Sequence, residues 1–187
     1  MHIRRSALAV ALVLAAPAAL AAPLSITIDS VSGIWTAVDG GTNLTGAGTS
    51  EITWGTGGSS GYRFDAATTP IGPFGTGDAF DLGTFFHDNM PIGPGTSIEG
   101  ATLQVTIDAT VTNGGTNEIT VVSTFEFDHF ETPNAADPCA DGGAQGVGVN
   151  INGCADIVTP TLNVGATSAA VIDGIAYVFD VTGFDIG

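Results

Sequence analysis

The stretch Glu126-Phe127-Asp128-His129-Phe130-Glu131 brings three carboxylates and an imidazole together in one short run. On a β-strand, side chains two residues apart project from the same face, about 6.5–7 Å apart along the backbone. Glu126 and Asp128 would share a face in this way, and a bulge at His129-Phe130 would return Glu131 to it. Carboxyl groups about 5–5.5 Å apart are what a retaining glycoside hydrolysis needs, one as nucleophile and one as acid and base. The competing expectation is that Glu126 and Asp128 are solvated on the outer face of a strand whose inner face is Phe125 and Phe127.

Other residues have the types for metal or ligand binding. Most of the nineteen acids are Asp, and Asp78, Asp81, Asp88, Asp137, Asp141 and Asp156 fall in Gly-, Asn- and Pro-rich surroundings. Calcium takes six to eight oxygens from carboxylates and loop carbonyls, so these six are the calcium candidates, although no D-x-[DN]-x-[DN]-G loop is present. His87 and His129, with Asp88 or Glu131, have the ligand types of a transition-metal site. The plainer expectation is that each histidine hydrogen-bonds within its own turn. A carbohydrate-binding role would require Trp35, Trp54 or Tyr62 to be exposed as a stacking surface. Gly57-Gly58-Ser59-Ser60-Gly61 spells G-x-S-x-G, which serves catalysis only between a strand and a helix. Pro70 and Pro73 follow a strand-like Tyr62-Arg63-Phe64, so this segment reads as a turn.

These residues must be carried by strands, because no apolar helical period occurs after the N-terminal segment. Alternation recurs instead: Leu24, Ile26 and Ile28; Ile52 and Trp54; Leu103, Val105, Ile107, Ala109 and Val111; Ile119 and Val121 on to Phe125 and Phe127; and Ile175, Tyr177, Phe179 and Val181. Period two buries one face and wets the other. Asn113-Gly114-Gly115 between the two longest runs predicts a hairpin. The 27 glycines and nine prolines cluster between the runs. About eight to ten short strands with such punctuation predict one antiparallel β-sandwich, jelly-roll-like, over residues 22–187.

The chain of 187 residues has a formal charge of −16. Past residue 22 its only base is Arg63, against all nineteen acids. Such a surface repels phosphate backbones and anionic headgroups, which excludes nucleic acid as an electrostatic partner. Arg63 is expected to pair with a carboxylate. Residues 1–21 read as a signal peptide: Arg4 and Arg5, an apolar Ala7–Leu20, and a small-x-small Ala19-Leu20-Ala21 site that leaves Ala22 as the new N-terminus. That run is shorter than the roughly 20 residues needed to span a bilayer, and no later stretch is apolar enough. In an exported chain the two cysteines, Cys139 and Cys154, are most simply one disulfide pinning a surface loop over 133–155. With no histidine near them in sequence they make a poor zinc site.

Two resemblances complete the reading. Glu126-Phe127-Asp128-His129-Phe130-Glu131 is similar to the E-x-D-x-x-E active-site strand of laminarinase-type β-jelly-roll glycosidases, which would make Glu126, Asp128 and Glu131 catalytic. Three blocks together are Ser50-Glu51-Ile52-Thr53-Trp54-Gly55, Phe80–Ile92 and Phe127–Asn134. They resemble the choice-of-anchor K or THxN domains of exported, PEP-CTERM-associated bacterial surface proteins, with Phe86-His87-Asp88-Asn89 at the signature position. That resemblance covers most of the chain after residue 22. It implies a non-catalytic β-rich domain at the cell surface or in the extracellular matrix, with polysaccharide or other matrix material as partner. It brings no catalytic residues, and it absorbs the carboxylate strand into a non-glycosidase pattern. The chain ends just after an apparent strand without a sorting tail, which predicts either release or a missing terminal segment.

Overall fold

In the computed structural model, residues 3–11, 24–151, 153–162, 170–172 and 175–186 are described. The cleavage site read at 19–22 and most of the apolar run before it lie outside these residues. The strands are β1 (Ile3–Ala11), β2 (Ser25–Gly40), β3 (Glu51–Trp54), β4 (Ser60–Ala66), β5 (Ile71–Phe74) and β6 (Ala79–Asp88). Then follow β7 (Ile98–Thr112), β8 (Thr116–Phe130), β9 (Ile157–Thr161), β10 (Ala170–Ile172), β11 (Ile175–Tyr177) and β12 (Asp180–Ile186). Two five-stranded sheets carry the fold, in the orders β12-β1-β6-β4-β3 and β5-β2-β7-β8-β9, with β10-β11 as a separate ribbon. Every named strand pair is antiparallel. The protein is an antiparallel β-sandwich, and among the described residues no helix is long and apolar enough to cross a membrane.

The sequence pattern explains the frame. β7 and β8 pair without a register break from Gly100↔Asp128 to Thr112↔Thr116, closed by the Asn113-Gly114-Gly115 turn. Leu103, Val105, Ile107, Ala109 and Val111 on β7 are buried, as are Val121, Phe125 and Phe127 on β8. One-residue slippage would send that whole row into water, so burial itself locks the register. Tyr177 and Phe179 are buried too, while Val178 between them is exposed, again as alternation requires. Residues 55–59 turn the chain into β4, so a strand, not a helix, carries Ser60 and Gly61 and follows Ser59.

An aromatic cluster joins the two sheets at one end of the sandwich. Trp35 of β2 packs its ring 5.3 Å from Tyr62 of β4 and 5.4 Å from Phe127 of β8. Phe85 of β6 stacks on Phe127 at 4.8 Å. Trp35 satisfies its indole N–H on the Ser50 carbonyl at 3.1 Å. Trp35, Trp54 and Tyr62 are all buried, so the stacking surface that a carbohydrate-binding reading asked of them is used up in the core. Gly33 is needed where it stands, since a Cβ there would lie 2.4 Å from the Phe64 ring. Arg63 pairs with Asp65 across one strand face, and its guanidinium lies 4.1 Å above the Phe86 ring.

Between β8 and β9 the chain makes a long excursion, and the Cys139–Cys154 disulfide closes it with Cα atoms 5.2 Å apart. The excursion has an interior of its own: both cysteines, Thr132, Asn150 and Asp156 are buried. Asn150 donates to both oxygens of Asp141 at 3.0 Å and accepts from the Ala155 N–H at 2.8 Å. The Cys154 N–H reaches the Asn134 carbonyl at 3.1 Å, and Asn89 donates to the Cys154 carbonyl at 3.2 Å. These bonds fold the excursion back over the ends of β6 and β8.

Candidate metal centre

Four titratable side chains converge where that excursion meets the aromatic cluster. His87 comes from β6 in one sheet, His129 from β8 in the other, Glu131 from just past β8, and Asp156 from the residue before β9. The His129 parity follows from the strand itself: Phe125, Phe127 and His129 are buried while Glu126, Asp128 and Phe130 are exposed. β8 pairs with β9 from Glu126↔Thr161 to Phe130↔Ile157 with no register shift, so the expected bulge at His129-Phe130 is absent. Without it, period two turns Glu131 inward with His129 and leaves Glu126 and Asp128 outside. The three carboxylates of the E-x-D-x-x-E pattern therefore do not line one groove.

The distances within the cluster are specific. His87 Nε2 lies 3.6 Å from Asp156 Oδ2, and His129 Nε2 lies 3.8 Å from both Asp156 Oδ2 and Glu131 Oε2. His87, His129 and Asp156 each offer a ligating atom within 4.8 Å of the others, and all three residues are buried. The side chains of His129 and Asp156 have no solvent exposure. Asp156 uses its other oxygen, Oδ1, to accept the Thr132 N–H at 2.9 Å, which fixes the carboxylate plane. Burial pushes the Asp156 carboxyl up to about 6; the Thr132 N–H opposes the rise, neighbouring Glu131 adds to it and His129 offsets part of it. Tyr62 places its hydroxyl 2.6 Å from His129 Nδ1. Burial, reinforced by the charge of Asp156, holds the Tyr62 phenol well above its ordinary range, so it stays a neutral hydroxyl that can donate or accept. Trp54 packs edge-on to His129 at 5.4 Å between ring centroids.

Of the six aspartates read as calcium candidates, Asp156 alone belongs to this cluster among the described residues. Asp78 accepts the Gly75 N–H at 2.7 Å in its own turn, and Asp141 is engaged by Asn150. Asp81 and Asp137 are exposed at separate places. Asp88 lines a small recess with Glu51 and Ser59, away from the His87 imidazole. Pairing His87 and His129 with Glu131 was legible from residue types. Asp156 was not, because it lies far along the chain and only the disulfide excursion returns it. Beside the cluster, Glu99, Phe130, Glu131 and Asn134 border an open groove of about 610 Å³.

Tyr62→Phe isolates one contact in this cluster. It deletes the hydroxyl and leaves His129 Nδ1 without its partner in a dry setting, which costs about 1–3 kcal/mol. Urea unfolding of the two proteins side by side measures it, and an unchanged midpoint would show that the hydroxyl contributes nothing. No family model matches the chain, and no curated protein matches it.

Proposed function

We propose that this chain is an exported, non-catalytic surface or extracellular-matrix domain of a bacterium, of the choice-of-anchor K or THxN type. The observation that carries this reading is the Cys139–Cys154 disulfide, since such bonds form and persist in oxidising compartments. The leader-like N-terminal segment and the acidic surface agree with it. The three sequence blocks that bear the resemblance also meet in space: Trp54, His87 and His129 come one from each and pack ring against ring. Against catalysis stand the outward Glu126 and Asp128 and the inaccessibility of the His129 and Asp156 side chains, which no substrate reaches in this conformation. Matrix polysaccharide is the partner class that the resemblance implies; with Trp35, Trp54 and Tyr62 buried it is not held by stacking on them, which leaves exposed Phe130 and the carboxylates beside the adjoining groove as the contact surface.

Export removes β1 from the sheet, because cleavage after Ala21 takes Ile3–Ala11 with it. β6 then keeps β4 as a neighbour, paired from Gly61↔Asp88 to Ala66↔Gly83, so His87 stays anchored. The test is expression of the whole gene product in a bacterium, followed by fractionation and intact mass. The expected species lies outside the cytoplasm, begins at Ala22, has oxidised cysteines and does not hydrolyse β-glucans. A cytoplasmic chain retaining Met1 with reduced cysteines would overturn the export reading. Hydrolysis abolished by Glu126→Gln would overturn the non-catalytic one.

A further inference from the structure

The geometry points to a buried zinc site built by His87, His129 and Asp156, with Glu131 on the fourth side. The separations within the cluster are ones that hydrogen bonding does not explain. Charge-assisted hydrogen bonds draw N and O atoms to about 2.7–2.9 Å, yet the nitrogen–oxygen pairs in this cluster stand 3.6 and 3.8 Å apart. Ligands about 2.0–2.1 Å from a tetrahedral zinc lie roughly 3.3–3.4 Å from one another. The three nitrogen–oxygen separations are a few tenths of an ångström above the edges of a zinc tetrahedron, and the ligating atoms of His87, His129 and Asp156 lie within 4.8 Å of one another, so binding requires the two imidazoles to draw in around the ion.

Two further observations agree. His129 Nε2, Asp156 Oδ2 and Glu131 Oε2 are buried atoms with no hydrogen-bond partner, a costly arrangement that a cation at their common centre relieves. The outer contacts are those that orient ligands. The Thr132 N–H holds Asp156 Oδ1 and leaves Oδ2 directed inward, and the Tyr62 hydroxyl meets His129 Nδ1. When Nε2 binds metal, Nδ1 carries the proton and donates a hydrogen bond to the Tyr62 oxygen, which does here what a carboxylate, carbonyl or water does for most ligating imidazoles. Two imidazoles and carboxylate oxygen select zinc or a neighbouring divalent transition ion over calcium, which prefers oxygen alone. The ion joins one sheet through His87, the other through His129 and the disulfide-closed excursion through Asp156. It is a structural staple, with ligands that close around the metal.

The untagged full chain, stripped with chelator and still folded by circular dichroism, is titrated with zinc alone and separately with cobalt(II). Expected are one ion per chain, the strong visible absorption of tetrahedral cobalt, and a melting temperature raised by about 5–10 °C at a hundredfold excess over Kd. Asp156→Asn keeps the Thr132 contact and should lower affinity more than about 100-fold, and Glu131→Gln about 10-fold. A folded, metal-free chain that takes up neither ion overturns the assignment. So does uptake undiminished in Asp156→Asn, which would place the metal on surface carboxylates. So does stabilisation by calcium but not by zinc. If Asp156→Asn does not fold, the wild-type stoichiometry and cobalt spectrum decide alone: one tetrahedral ion supports the site, and octahedral or multiple binding overturns it.

Discussion

Trp35→Ala should cost about 3–5 kcal/mol of folding stability, the largest single loss expected for this chain. Trp35 is fully buried, with 0% exposure. Its ring meets Tyr62 and Phe85 of one sheet and Phe127 of its own. Truncation removes the apolar area and the aromatic contacts together, and it strips the Ser50 carbonyl of its indole donor. The surrounding strands are held by long backbone ladders and cannot close in on the void, so the cavity term adds to the transfer term. Equilibrium urea unfolding, followed by the emission of the second buried tryptophan, Trp54, reads the change. Val171→Ala is the control: Val171 is 68% exposed, and its truncation should stay within about 0.5 kcal/mol. A Trp35 loss below about 1 kcal/mol would mean that this ring is not the bridge between the layers.

Removing the disulfide comes next in size. Cys139 and Cys154 are 15 residues apart in sequence, and a closed loop of that length contributes about 3 kcal/mol by restricting the unfolded chain. The double variant Cys139→Ser, Cys154→Ser and the reductant-treated wild type should lose the same amount, measured as the shift in urea midpoint. The excursion also holds Asp156 against His87 and His129, so its loosening should weaken zinc uptake along with stability. Retention of the full midpoint would show that the Asn150–Asp141 bonds and the Cys154–Asn134 bond hold the excursion unaided.

Much of the frame could be read along the chain. The β7–β8 hairpin follows from two alternating runs and an Asn-Gly-Gly turn, and the buried rows fall on the residues that alternation names. β6 was harder, because Phe85, Phe86 and His87 are buried in succession. Strand parity puts Phe85 and His87 on one face, and Phe86 is covered on the other by the Arg63 guanidinium. A consecutive apolar run cannot reveal that, since the covering group arrives from a neighbouring strand. The tryptophans were open to two readings, and their burial removed one of them.

The cluster shows where local reading stops. Glu126, Asp128 and Glu131 form a pattern along the strand, but their grouping depended on a bulge, and an unbroken β8–β9 register sends Glu131 the other way. Side-chain parity is a property of a few adjacent peptide units, so strand type, the inward Phe125 and Phe127 and the polar punctuation were set by amino-acid order alone. Which strand lies beside which, and that Asp156 returns to face His87 and His129 from different sheets, is a matter of long-range pairing and of one disulfide. Those depend on burying the two apolar faces against each other, a free energy that belongs to the assembled sandwich and to no single segment of it.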